Sequence, residues 1–284
     1  MKAPASNHDA IARAVALALA EDIGTGDLTS QAVVPEHARL RAELTVREPL
    51  TLAGLPVVHE VYRQLGDPEA LDDAVPEGAR LQPGEVVGII DCNARLALTG
   101  ERTALNFLQR LSGIATLTRT FVDEIAGTGA SILDTRKTVP GLRALDKYAV
   151  AMGGGVNHRF GLFDAILIKD NHIAAAGGVT AALSAARTAS RNGARVQIEV
   201  DTLDQLDEAL AAGAQFILLD NMTPGQVQTA VNRTARRARL EVSGLVNLGN
   251  VRAYAETGVD DISIGSLTHS PRAVDIGLDA TELA

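Results

Sequence analysis

From Thr118 onward one pattern recurs six times: a short apolar run, a polar cluster, then a stretch with helical spacing. The runs are Ser131 to Leu133, Ala165 to Ile168, Val196 to Val200, Phe216 to Leu219, Leu240 to Val242 and Ile262 to Ile264. Runs this short, each followed by a helix-length segment, read as buried parallel strands. A parallel neighbour is reached only by carrying the chain back across the sheet, usually as a helix. No fixed sequence period accompanies the runs, so the unit is architectural and not a tandem repeat.

Before residue 112 the pattern differs. Residues 8 to 20 read as a helix, and Glu21 to Ser30, with Gly24 and Gly26, as a loop carrying acids and hydroxyls. Leu40 to Val46 alternates apolar and polar side chains, and Val75 to Ile90 holds two short apolar runs parted by Pro-Glu-Gly and Pro-Gly turns. This is an α+β unit. From Arg95 to Leu111 the residues Ala97, Leu98, Ala104, Leu105, Leu108 and Leu111 share one helical face. At about 100° per residue, Glu101 falls inside that face and Arg102 on its border. The acid is therefore expected to have a buried partner and the arginine to reach outward.

The residues that follow the strands carry the chemistry. They are Asp134, Thr135, Arg136 and Lys137; Lys169, Asp170 and Asn171; Asp201, after a strand containing Glu199; Asp220 and Asn221; Ser243 and Gly244; and Gly265 and Ser266. In a parallel α/β barrel these positions share the face on which such barrels do catalysis. Any one Asp or Ser after a strand is more often a turn or helix cap than a ligand. Six clusters in which cations come first, acids in the middle and small residues last are harder to assign to turns alone.

The chain has 26 basic and 35 acidic side chains, a formal charge of −9, and 3% aromatic residues with no Trp, which argues against a nucleic-acid or anionic-membrane binder. Between Ser131 and His172, however, six Lys or Arg face four acids, a basic island suited to small polyanions. Within it, Arg143 and Lys147 are four apart on a helix after Pro140 and read as solvated helix charges. A lone cysteine, Cys92, cannot form an internal disulfide, and the apolar stretch Ala10 to Ala20 is interrupted by Arg13 and runs into Glu21. The expectation is a cytoplasmic protein with no membrane span; the sequence assigns Cys92 no role.

Gly153, Gly154 and Gly155, followed by Val156, Asn157, His158 and Arg159, could form a phosphate loop, but a glycine run after a helix is more often its stop. Ser243 with Gly244 and Gly265 with Ser266 are better phosphate candidates, since barrels often bind phosphate on backbone amides after their last strands. Ordinary strand-to-helix turns are an equal alternative for either taken alone.

Seven ordered blocks then converge: Asp-Thr-Arg-Lys-Thr-Val-Pro-Gly-Leu-Arg (134 to 143), Gly-Gly-Gly-Val-Asn-His-Arg (153 to 159), Ile-Lys-Asp-Asn-His (168 to 172), Glu-Val-Asp (199 to 201), Leu-Leu-Asp-Asn (218 to 221), Glu-Val-Ser-Gly (241 to 244) and Ile-Gly-Ser-Leu-Thr-His (264 to 269). With Gly-Asp-Leu-Thr (26 to 29) and Glu-Arg-Thr-Ala-Leu-Asn (101 to 106), the chain resembles the quinolinate phosphoribosyltransferases over nearly its whole length.

The resemblance implies an α/β protein with an N-terminal α/β sandwich domain, residues 1–112, and a C-terminal incomplete α/β barrel, residues 113–270, the tail 271–284 joining the first domain. It implies a homodimer with shared active sites, Mg²⁺ as cofactor, and transfer of phosphoribosyl from phosphoribosyl pyrophosphate to quinolinate with loss of CO₂. Carried over by motif, Arg102 of the partner subunit, with Arg136, His158, Arg159 and Lys169, would grip the quinolinate dicarboxylate. Thr135 would line the same site and Lys137 would lie between quinolinate and pyrophosphate. Glu199 and Asp220 would hold the ribose hydroxyls and the metal shell, with Lys137, Glu199 and Asp220 the catalytic set. Ser243, Gly244 and Leu245, with Ile264, Gly265 and Ser266, would cradle the 5′-phosphate. Leu245 and Ser266 depart from the family pattern, which usually has Gly or Asn, and Ala, at those positions. A phosphoribosyltransferase acting on another aromatic acid, and a non-catalytic anion-binding barrel, are the alternatives.

Overall fold

The alternation in Leu40 to Val46 becomes a strand whose burial alternates along its length, with Leu40, Ala42, Leu44 and Val46 facing a core. A computed structural model describes residues 6–190 and 194–283. In chain order its first part contains α1 (Ser6–Ile23), α2 (Leu28–Val33), β1 (Arg39–Val46), β2 (Leu50–Thr51), α3 (Leu55–Leu65), β3 (Leu71–Asp72), β4 (Arg80–Leu81), β5 (Val86–Asn93) and α4 (Ala94–Glu124). There follow β6 (Ser131–Leu133), α5 (Arg143–Met152), β7 (Ile166–Ile168), α6 (Asp170–Ala176), α7 (Val179–Ala189), β8 (Val196–Val200), α8 (Leu203–Ala211), β9 (Phe216–Asp220), α9 (Pro224–Thr234), β10 (Arg239–Ser243), α10 (Val251–Ala255), β11 (Asp261–Ser263), α11 (Ser266–His269) and β12 (Ile276–Leu283).

The chain forms two compact units. The first comprises residues 1–119, 138–154 and 267–284. Its main sheet is antiparallel, in the order β12-β1-β5-β3, and β12 pairs with β1 along its length, from Val46 with Ile276 to Leu40 with Leu283. In the same unit Gly100 on α4 would bring an added Cβ to 2.8 Å from Leu65 and 3.0 Å from Tyr62 of α3, so its missing side chain lets the two helices approach closely.

The segment 138–154 lies on the barrel side of the expected boundary at residue 112, yet it groups with the first unit. Packing explains this. Asp146 of α5 is fully buried and accepts a hydrogen bond from Arg110 of α4 at 3.1 Å. At the end of α5, a Cβ on Gly153 would stand 2.5 Å from the Ala115 carbonyl oxygen. Gly153 is thus the helix stop that the glycine run suggested, placed where only a hydrogen fits. Lys147 is a correction, since it is 3% exposed on the buried face of α5 and not a solvated charge.

Two other expectations for this unit change. Part of the segment read as a loop is helical, because Asp27 accepts from the Ser30 amide at 2.9 Å and caps α2. Glu101 is half-buried, and among the described residues no hydrogen bond or ion pair satisfies the buried partner expected for it.

The second unit, residues 120–137 and 155–266, is built on a parallel sheet in the order β6-β11-β10-β9-β8-β7. All six expected strands are present, within a residue or two of their apolar runs. Val156 forms a parallel bridge with Leu133, which extends the sheet beyond β6 by a single residue. Among the described residues no ladder joins β6 to β7, so this α/β barrel is incomplete. No helix among the described residues is long and apolar enough to cross a membrane.

Candidate active site

Strand register sets the geometry of the second unit. Ser243 pairs with Asp220 on one side and with Ser263 on the other, and Ser263 pairs with Leu133. The carboxyl ends of β6, β11, β10 and β9 therefore finish at one level. On the far side Leu219 pairs with Val200, and Ile198 pairs with Ile168. The polar clusters after these strands consequently emerge on one face, as the sequence pattern predicts.

The acidic side of that face is Glu199, Asp201 and Asp220. Glu199 is 9% exposed, and its Oε2 lies 2.8 Å from Lys169 Nζ, which comes from the end of β7. Asp220 is held above the ordinary aspartate range. Burial is the chief cause and the charges of Glu199 and Asp201 add to it, while Lys169 and Lys137 partly offset them. Five ionisable groups from three strand ends and the β6 loop thus act on one another.

The cationic side is assembled by Asp134. This carboxylate is fully buried at the end of β6 and accepts from Asn157 Nδ2 at 2.7 Å and from the His158 amide at 2.8 Å. It ties the loop carrying His158 and Arg159 to the loop carrying Thr135, Arg136 and Lys137. Within the latter, Thr135 Oγ1 accepts from the Lys137 amide at 3.0 Å, and Lys137 is exposed. Arg159 donates to the Ala165 carbonyl at 3.2 Å. Burial, and after it the nearby Arg136 guanidinium, lowers the Arg159 pKa, against smaller contributions from Asp164 and Glu199. Two guanidinium groups close enough to repel one another make a natural receiver for a dicarboxylate.

His158 sits deeper. Its Nδ1 accepts from the Arg159 amide at 2.7 Å, so the ring proton is on Nε2, 3.2 Å from Glu241 Oε2. Glu241 also accepts from Gln197 at 2.8 Å and from the Ser263 hydroxyl.

The remaining candidates lie after β10 and β11. Asn221 and Gly244 pack against one another: the Asn221 amide donates to the Ser243 carbonyl at 2.9 Å, and a Cβ on Gly244 would fall 2.1 Å from Asn221 Oδ1. Gly244 has φ +84°, and Leu245 has φ 58° with its side chain exposed. Ser243 ends β10, Ile264 is buried and donates its amide to the Leu133 carbonyl at 2.9 Å, and Gly265 and Ser266 lead into α11. Arg102 belongs to the first unit, on α4, where it is exposed.

Every candidate except Arg102 lies in the second unit; the interactions within it link Lys137, Lys169, Glu199 and Asp220 on one side and Arg136 with Arg159 on the other. The sequence reading missed two residues that hold the others in place, Asp134 and Glu241. The first stands in the cluster after β6 but was assigned no role. The second was detectable because the alternation in Leu-Glu-Val-Ser (240 to 243) puts Glu241 and Ser243 on one face of the strand.

Residues 27–112 match the family described as "Quinolinate phosphoribosyl transferase, N-terminal domain", and residues 114–279 match the corresponding C-terminal domain. The chain is 48% identical over 277 residues to a nicotinate-nucleotide pyrophosphorylase [carboxylating] of Mycobacterium leprae, covering 95% of this chain and 97% of that protein. It is 44% identical over 261 residues to a probable enzyme of the same name from Bacillus subtilis, covering 92% and 90%. A solved nicotinate-nucleotide pyrophosphorylase from Francisella tularensis superposes with a TM-score of 0.92 at 40% identity, covering 96% of this chain and 97% of that one.

Proposed function

Because the chain belongs to the quinolinate phosphoribosyl transferase family, we propose that it transfers phosphoribosyl from phosphoribosyl pyrophosphate to quinolinate, yielding nicotinate mononucleotide, pyrophosphate and CO₂ for NAD biosynthesis. One observation within the chain supports this reading most: a cationic side built by Arg136 and Arg159 shares a strand-end face with Lys137, Lys169, Glu199 and Asp220. A dicarboxylate and a pyrophosphorylated sugar need that division of charge.

Displacement of pyrophosphate at C1 of the ribose develops oxocarbenium character, which the carboxylates of Glu199 and Asp220 stabilise. Lys137 neutralises charge on the departing pyrophosphate. Arg136, Arg159 and Lys169 hold the dicarboxylate, and the backbone of 243–245 and of 265–266 receives the 5′-phosphate, the Ile264 amide being engaged by the Leu133 carbonyl. Loss of CO₂ follows ribosylation, since the quaternised ring nitrogen stabilises the carbanion at the adjacent carbon, which then takes a proton from water.

The donor set suits Mg²⁺. Among the described residues no group of three or more His, Cys, Asp or Glu side chains could hold a metal alone. Mg²⁺ commonly uses one or two carboxylates together with substrate phosphates, and Glu199 and Asp220 supply the two. When bound, the ion would contribute charge neutralisation at the pyrophosphate.

The reading includes a homodimer in which Arg102 of each subunit serves the other's site, and a cytoplasmic location. A panel of pyridine acids with pyrophosphate release as the readout tests the substrate assignment. Quinolinate alone should give both pyrophosphate and CO₂; pyrophosphate release with another acid and none with quinolinate would favour a related transferase.

A further inference from the structure

We propose that Glu241 is a positioning residue for quinolinate binding, acting through His158 on Arg159. The inference rests on the functional reading above for its substrate and on the barrel interior for its geometry. Glu241 stands on β10, 1% exposed, and its carboxylate receives Nε2–H of His158, the Gln197 amide and the Ser263 hydroxyl. Arg195 adds a cation 3.6 Å away. The other side of the imidazole accepts the Arg159 amide at 2.7 Å. The ring is therefore a strut between the barrel floor and the backbone of a substrate-carboxylate arginine, with its proton directed at Glu241.

An anionic acceptor is what fixes this arrangement. Facing a carboxylate, which can only accept, the neutral imidazole keeps its proton on Nε2 and leaves the Nδ1 lone pair for the Arg159 amide. A neutral amide at position 241 can instead present its own N–H to the ring. The opposite tautomer then becomes competitive, and Nδ1–H meets the Arg159 N–H donor to donor. The loop must move to relieve that conflict, and the Arg159 guanidinium moves with it. Asp134 holds the same loop by the His158 amide and Asn157, so displacement should be local and not a loss of the fold.

Two measurements decide the matter. In protein carrying ¹⁵N-labelled histidine, His158, identified by its absence from His158→Asn, should show the Nε2–H tautomer. In Glu241→Gln the ring proton should shift wholly or partly to Nδ1. A ring protonated on Nδ1 in the unsubstituted protein, or unchanged ring signals in Glu241→Gln, would overturn the proposal whatever the substrate proves to be. In steady-state kinetics Glu241→Gln should raise the KM for quinolinate roughly tenfold and leave that for phosphoribosyl pyrophosphate unchanged. The Glu241→Gln/His158→Asn double variant should be no weaker than the poorer single variant. Fully additive losses, or equal loss for both substrates, would mark Glu241 as a general structural residue. No turnover of quinolinate by the unsubstituted protein would overturn the functional reading, and the ring spectra would still decide the link between Glu241 and His158.

Discussion

Lys169 Nζ lies 2.8 Å from Glu199 Oε2, joining the ends of two neighbouring strands, β7 and β8. A lysine so engaged must divide its charge between Glu199 and an incoming carboxylate. Glu199→Gln should therefore tighten quinolinate binding, by up to about tenfold for one charged hydrogen-bond partner released. It should lower turnover by on the order of 10², through lost stabilisation of the developing positive charge. Titration calorimetry with quinolinate, beside kcat, measures both; weaker binding in the variant would show that the ion pair organises the site instead of competing for the lysine.

Asp220 links activity to stability with opposite signs. Its carboxyl is held above the ordinary value of 3.8, chiefly by burial and then by Glu199 and Asp201. A raised acid favours the fold while protonated, and that contribution is lost as pH rises through the folded value. Asp220→Asn should consequently melt at a higher temperature than the parent at neutral pH. The advantage should vanish as the pH falls below the ordinary aspartate range, where both proteins are neutral at this position. Turnover should drop by on the order of 10². Thermal melts across pH check the sign, and a destabilised variant at neutral pH would contradict it.

Neighbouring positions in the loop after β10 should respond in opposite ways. Gly244 combines φ +84° with an added Cβ only 2.1 Å from Asn221 Oδ1, so Gly244→Ala should destabilise the protein by about 1–3 kcal/mol and raise the KM for phosphoribosyl pyrophosphate. Leu245 holds φ 58° with an exposed side chain. Leu245→Gly relieves that backbone without uncovering a core, and should match or exceed the parent in stability. Denaturant melts of both variants suffice; a Gly244→Ala protein of unchanged stability would mean that the loop rearranges freely.

Arg102 tests the sharing of sites. Arg102→Ala should mainly weaken quinolinate binding, and Lys137→Ala should lower turnover by on the order of 10² or more. Equal mixing of the two variants, with subunit exchange, should restore about a quarter of the sites to parental activity, since only a mixed dimer joins an intact Lys137 to an intact Arg102. No recovery after exchange would place both residues in the site of one subunit.

How far the sequence could be read depended on whether a signal was local. The strand β8 coincides with its apolar run, and the polar residues after the strands share a face because parallel register leaves them no other arrangement. Helix α2 was hidden: it is short, and two glycines precede its Asp27 cap. Lys147 reads as solvated from its spacing to Arg143, but its burial comes from tertiary packing that spacing does not encode. Glu241 likewise reads as one polar residue in a short strand, and its importance appears only when Gln197, Ser263 and His158 meet around it.

The most direct test follows the carboxyl group that the reaction should remove. Quinolinate labelled with ¹³C in the carboxylate next to the ring nitrogen is incubated with phosphoribosyl pyrophosphate, Mg²⁺ and the protein. All the label should leave as CO₂, one for each pyrophosphate formed, with unlabelled nicotinate mononucleotide as the product. Label retained in a nucleotide, or pyrophosphate released without nucleotide, would contradict the account.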